Sequence, residues 1–302
     1  MSPSIRGSGL PERPSRSLGT FRSSAGARVG AAILVLVGIC AAAPQLLAPI
    51  DPGEQRLLAR FTPPFTRSAD GTLAILGTDQ LGRDILSRLI YGARTSSLIG
   101  FAAVLIAGLS GTALGLLAGV RGGASDHAVM RLADMQLAFP FILLAITVIG
   151  ILGPSIRNLV LVVGFANWAA YARVVRAETL AVRERPFVEA ARSLGLTVPH
   201  IVVRHILPNV SASLMVVATF GIAGAILTEA GLSFLGLGVP VAIPSWGGML
   251  AEGRQYVDTR YWLALFPGAA LFMTVMAINL VGDTLRDSFD PYLHARRSVD
   301  QL

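Results

Sequence analysis

Long charge-free apolar runs alternate along this chain with polar stretches rich in arginine. A bilayer hydrocarbon core of roughly 30 Å needs about 20 apolar helical residues to cross it. Runs at 29–50, 96–120, 130–152, 158–176, 210–230 and 261–282 approach or meet that length, and they predict a six-helix membrane protein. The second run carries Gly100, Ala107, Gly108, Gly111 and Gly115, small residues that let helices approach closely. Pro140 predicts a kink in the third run, near whose start Asp134 stands as a solvated or paired residue. The fourth is short in its uncharged part, with Arg157 and Arg173 placed to snorkel from its ends. A seventh uncharged stretch, 230–251, is long enough to span. Its Gly236, Gly238, Pro240, Pro244, Gly247 and Gly248 predict irregular backbone instead, tolerated at membrane depth where it is buried in protein or lines a cavity.

Between the fourth and fifth runs lies EAARSLGLTVPHIVVRHILP, residues 189–208. Phe187, Ala190, Ala191 and Leu194 follow i, i+3, i+4, i+7 spacing and predict one apolar stripe on an amphipathic helix. Glu189 and Arg192 fall off that stripe. Gly195 is placed to end the helix in a left-handed turn, and Thr197 to cap a second short helix with Pro199 in its first turn. Pro208 is expected to halt that helix before the fifth span. The pattern fits a helix on lipid headgroups as well as one seated in a protein groove. Small residues at 190 and 191 favour close approach by another surface.

Composition agrees with membrane residence. The 302 residues are 53% hydrophobic and 14% charged, with a mean hydropathy of +0.63; soluble chains carry about a quarter charged residues. The net charge of +7 is spread between apolar runs rather than gathered in one patch, which argues against nucleic acid. All 25 basic residues are arginine. Without lysine the chain has no P-loop of its own, and no Schiff-base chemistry. Cys40 is the single cysteine, so no internal disulfide forms. The basic flank of the first run also imitates a signal peptide, but the run is long for one, and an uncleaved span is expected. Six spans place both termini on one side. With the amino terminus inside, Arg173, Arg176, Arg183, Arg185, Arg192 and Arg204 also lie inside, as the positive-inside rule favours. The six arginines of loop 51–95 oppose that orientation, although long loops translocate more readily.

Candidate chemistry is sparse. His127, His200, His205 and His294 show no metal-ligand spacing, and neither a catalytic site nor a metal site is expected. Glu229, near the outer end of the fifth span, is a functional candidate or a hydrogen-bonded structural residue. Asp79, Arg83 and Asp84 are expected to position the external loop through ion pairs or to contact a binding protein. Charge-free mid-span stretches, with no clear internal repeat, argue against a self-contained secondary transporter or channel.

The 189–208 stretch resembles the EAA motif of permease subunits in ATP-binding-cassette importers. Glu189, Ala190, Ala191, Gly195, Leu207 and Pro208 fall on that pattern, while the family commonly has isoleucine where His205 stands. HILPN, at 205–209, is similar to the form of the peptide-importing branch. GTDQLGRD (77–84), LSRLIYGARTS (86–96), LSFLGLG (232–238), PSWGGML (244–250) and LVGDTLRDSFDP (280–291) extend the likeness to the second permease subunit of dipeptide, oligopeptide or nickel importers. The resemblance implies an all-α, six-helix type I importer permease in the bacterial inner membrane, with both termini cytoplasmic. It divides the chain into a cytoplasmic tail (1–28), a first membrane helix (29–50), an extracytoplasmic loop with an interfacial helix (51–95), a five-helix core (96–282) and a cytoplasmic tail (283–302). Within the core, 184–208 becomes the cytoplasmic coupling segment, and Glu189, Ala190, Ala191, Arg192, Gly195, Leu207 and Pro208 the contacts to an ATPase. The implied partners are a homologous second permease, one or two ATP-binding-cassette ATPase chains, an extracytoplasmic substrate-binding protein and lipid. ATP and magnesium would be bound by the ATPases, with no cofactor on this chain. Dipeptides, longer peptides, glutathione-like molecules and chelated nickel all stay open as substrates.

Overall fold

The computed structural model describes residues 25–69 and 71–289. The arginines at 6, 13, 16 and 22, Asp70, His294 and the end of the carboxy-terminal tail lie outside the described residues. Helix α1 (Ala25–Ala42) stops at Ala43, ahead of a single turn, α2 (Pro44–Leu47). A loop follows, with a short antiparallel hairpin of β1 (Thr66–Arg67) and β2 (Leu73–Ala74). Then come α3 (Ile85–Arg121), α4 (Gly123–Ala138), α5 (Phe141–Leu152) and α6 (Ile156–Arg183). Two short helices, α7 (Pro186–Ser193) and α8 (Val198–Ile201), lead into α9 (Leu207–Phe234). Another short helix, α10 (Trp246–Gly253), precedes the last long one, α11 (Trp262–Phe289).

Among the described residues, five helices are long and apolar enough to cross a membrane, or six if the bent pair α4–α5 counts as one broken span. The break has a local cause. Phe139 precedes Pro140 and is held extended (φ −87°, ψ 127°), so the helix axis turns by 85° where a simple kink is expected from the sequence. Helix α3 is roughly 55 Å long and overshoots the hydrocarbon core. Residues 85–95 are thus part of α3, whose first turn is capped by Asp84 accepting from the Ser87 amide at 2.8 Å.

The densest interface joins α3 to α6. A stripe of glycine on α3 makes it possible. A Cβ at Gly111 would lie 2.5 Å from the Trp168 carbonyl oxygen, and one at Gly115 would lie 2.6 Å from that of Ala172. Helices α9 and α11 complete the bundle, with α1 against α11 and α3. At one end of the bundle sit the 51–84 loop and α10; at the other sits the α7–α8 hairpin. Stretch 230–251 divides into the end of α9, an irregular segment turning at Gly236 (φ +81°), and α10. Trp246 of α10 is buried, and its indole N–H donates to the Leu89 carbonyl at 3.0 Å.

Candidate functional site

The α7–α8 hairpin is built by its breakers. Arg185, forced extended by the proline after it, ends the path from α6, and Pro186 opens α7 with φ preset for a helix. Glu189 in the first turn and Arg192 in the last match the helix dipole. Gly195 closes the helix at φ +80°. Its N–H donates to the Arg192 carbonyl at 2.9 Å, and the Leu196 N–H reaches back to Ala191 at 3.2 Å; together these bonds make a Schellman turn. Thr197 stands at the start of α8 with its carbonyl accepting the Ile201 N–H at 3.0 Å, but its side chain makes no cap bond, and Pro199 lies in the first turn.

Pro208 does not stop this helix. Residues Val202–Ile206 widen into a π-helical turn, and α9 continues through Pro208 without a gap. The missing proline N–H and the clash of its ring with the preceding turn explain the widening.

The apolar stripe expected on α7 is divided between two faces. Val188 and Ala191 face inward and pack with Ile201, Ile206 and Val210 against Val175 and Val182 of α6. Phe187, Ala190 and Leu194 are exposed, and Val198 and Val203 extend that uncovered surface. Of the expected stripe Ala191 turns inward beside Val188, while Phe187, Ala190 and Leu194 stay on the outer face. Glu189, Arg192 and Gly195 are exposed with them, Leu207 is half-buried and Pro208 exposed. The His205 ring stands 6.1 Å from Phe187, linking α7 to the π-turn. An anchored inner face and an open, partly apolar outer face suit this hairpin to passing a push from a docked surface into α6 and α9.

Asp134 pairs with Arg173 at 2.6 Å on the surface, and Asp126 holds Arg176. Both pairs tie α4 to α6. Glu178 accepts from the Ser213 hydroxyl at 2.8 Å, joining α6 to α9.

At the opposite end, Asp79 and Arg83 are buried and bonded to one another at 2.6 Å. Arg88, also buried, donates to Asp79 and sends its other nitrogen to Glu252 at 2.9 Å, while Arg83 also binds Glu252. Gln80 completes the ring at 2.8 Å from Glu252. Burial works to raise the Glu252 carboxyl, but the bonds and charges of Arg88, with Arg83 and Gln80, outweigh it and hold the group below the usual carboxylate range. Asp84 is spent on the α3 cap. These side chains face one another inside the protein and clamp the loop, α3 and α10 together. Sequence reasoning missed Arg88 and Glu252. They lie 164 residues apart, and no local pattern joins them.

Glu229 is fully buried. It accepts from Ser233 at 2.7 Å and from Ser96 at 3.2 Å, and the Ser96 oxygen accepts the Trp246 amide. This knot joins α3, α9 and α10. Among the described residues, no group of three His, Cys, Asp or Glu side chains gathers as a metal site.

Known proteins share both sequence and shape with this chain. It is 42% identical over 274 residues to a di/tripeptide transport system permease protein, DppC, of Pseudomonas aeruginosa, covering 91% of this chain and 90% of that protein. The glutathione transport system permease protein GsiD of Pectobacterium atrosepticum is 45% identical over 218 residues, covering 72% of each. The inward-facing MetNI methionine ABC transporter overlays with a TM-score of 0.54 at 20% identity, over 67% of this chain and 97% of the matched chain, so the two share the permease fold. Residues 111–294 match the family described as the binding-protein-dependent transport system inner membrane component, and the chain belongs to that family.

Proposed function

We propose that this chain is the permease subunit of an ATP-driven importer for di- and oligopeptides. It forms the translocation path with a homologous second permease and takes substrate from an extracytoplasmic binding protein. One or two kinds of ATPase chain bind ATP and magnesium and dock on the α7–α8 hairpin, the cytoplasmic end of the bundle. Both termini then lie in the cytoplasm, and the 51–84 loop and α10 face the binding protein. The hairpin carries this reading: its inner face is packed on α6 and α9 while Phe187, Ala190, Leu194, Val198 and Val203 stand uncovered. Closure of the ATPases moves α7. Because Val188, Ala191, Ile201 and Ile206 are close-packed, the movement passes into α6 and α9 and switches the path between outward-open and inward-open states.

Similarity to a glutathione permease favours glutathione, itself a peptide, as a second substrate class. In the test, affinity-tagged chain is expressed with its genomic neighbours and purified in mild detergent. The expected result is a stable assembly with a second permease and ATPase chains, whose ATP hydrolysis rises when peptide-loaded binding protein is added. Isolation of this chain alone, with no ATPase bound, would overturn the reading.

A further inference from the structure

A small cavity lies between α3, α6 and α9, lined by Ala103, Val104, Ala107, Val163, Asn167, Tyr171, Gly221 and Ala225. Tyr171, Val104 and Gly221 each sit near the middle of their helix, which places the cavity well inside the bundle. Tyr171 is 2% exposed, and its hydroxyl has no hydrogen-bond partner among the described residues. An unpartnered hydroxyl at this depth costs free energy unless something polar reaches it. The surroundings keep the position open. A Cβ on Gly221 would lie 2.1 Å from the Tyr171 oxygen, so any larger residue there would expel it.

Asn167 stands one turn before Tyr171, exposed at the rim, with its side-chain N–H donated to the Val163 carbonyl at 2.7 Å. An exposed amide within an apolar membrane-spanning helix is better placed facing water or protein than hydrocarbon. The cavity of about 30 Å³ admits an oxygen-bearing group but no whole side chain.

We infer that this notch is a substrate contact on the translocation path, where Tyr171 donates a hydrogen bond to a carbonyl or carboxylate oxygen of the passing peptide. The inference rests on the peptide-permease reading above. One neutral hydrogen bond corresponds to a change of roughly fivefold.

The test uses the assembled complex in proteoliposomes with its binding protein and the dipeptide Ala-Ala. Tyr171→Phe is expected to lower ATP-driven uptake roughly fivefold while binding-protein-stimulated ATP hydrolysis stays within about twofold, so fewer peptides cross per ATP. A purely structural role would move both rates together. In a second arm, Asn167→Cys in a Cys40→Ser background reacts with a charged thiol reagent in lipid nanodiscs, and turnover with Ala-Ala slows the reaction. An unchanged uptake-to-ATP ratio in Tyr171→Phe, or an unreactive Cys at 167, overturns the substrate contact and leaves the importer reading standing. Failure of the wild-type complex to import Ala-Ala overturns the peptide reading itself.

Discussion

Glu252 shows how individual residues hold the loop end of the bundle together. Arg88 and Arg83 are buried cations, and Glu252 and Asp79 are the carboxylates that neutralise them. Removing one member of such a cluster leaves charge uncompensated in a poorly solvated place, at a cost of about 3 kcal/mol or more. Glu252→Gln is therefore expected to lower thermal stability by that order while leaving the hairpin end unaffected. The carboxyl is depressed in the folded protein, so the unfolded chain takes up its proton first as pH falls. Its stabilisation is fully present above the ordinary carboxylate pKa and is lost on acidification below roughly pH 4. Thermal melts of detergent-solubilised protein across that range should show an acid-dependent fall, flatter in Glu252→Gln. An equal slope in both proteins would contradict the assignment.

Helices are where the sequence was most readable. Apolar run length located the long helices, because crossing a bilayer demands it, and Gly111 and Gly115 announced a close helix contact that α3 and α6 make. The turn at Gly195 was legible for the same kind of reason: its left-handed backbone favours glycine. The sharp α4–α5 bend was not. Pro140 marks the break, but a proline in the sequence does not say whether the helix merely kinks or, with Phe139 held extended, turns by 85°. The split of the α7 stripe was not legible either, since periodicity alone does not tell that Val188 and Ala191 meet α6 while Phe187, Ala190 and Leu194 stay exposed. Pro208 was read as a stop because the π-turn that accommodates it has no signature in sequence.

The hairpin yields its own prediction. Gly195→Pro imposes a negative φ where the chain needs +80°, and Glu189→Lys reverses a charge in the first turn of α7. Both variants should insert into membranes normally and lose binding-protein-stimulated ATP hydrolysis in the assembled complex. Normal uptake in both would sink the coupling role.

Taken whole, the molecule is a helix bundle with a clamp of ion pairs at one end, an anchored hairpin at the other, and a small notch between them. The chain was legible as a membrane permease because its EAA-like motif is contiguous in sequence. The clamp and the notch were not, because Arg88 with Glu252, and Tyr171 with Gly221, meet only after folding. The central claim is that transport by this chain is powered from outside it, through partner ATPases. Uptake of labelled dipeptide into proteoliposomes, with binding protein outside and ATP sealed within, tests it most directly. The account predicts uptake by the full complex that requires ATP and is absent from vesicles holding this chain alone; ATP-independent accumulation by the chain alone would contradict it.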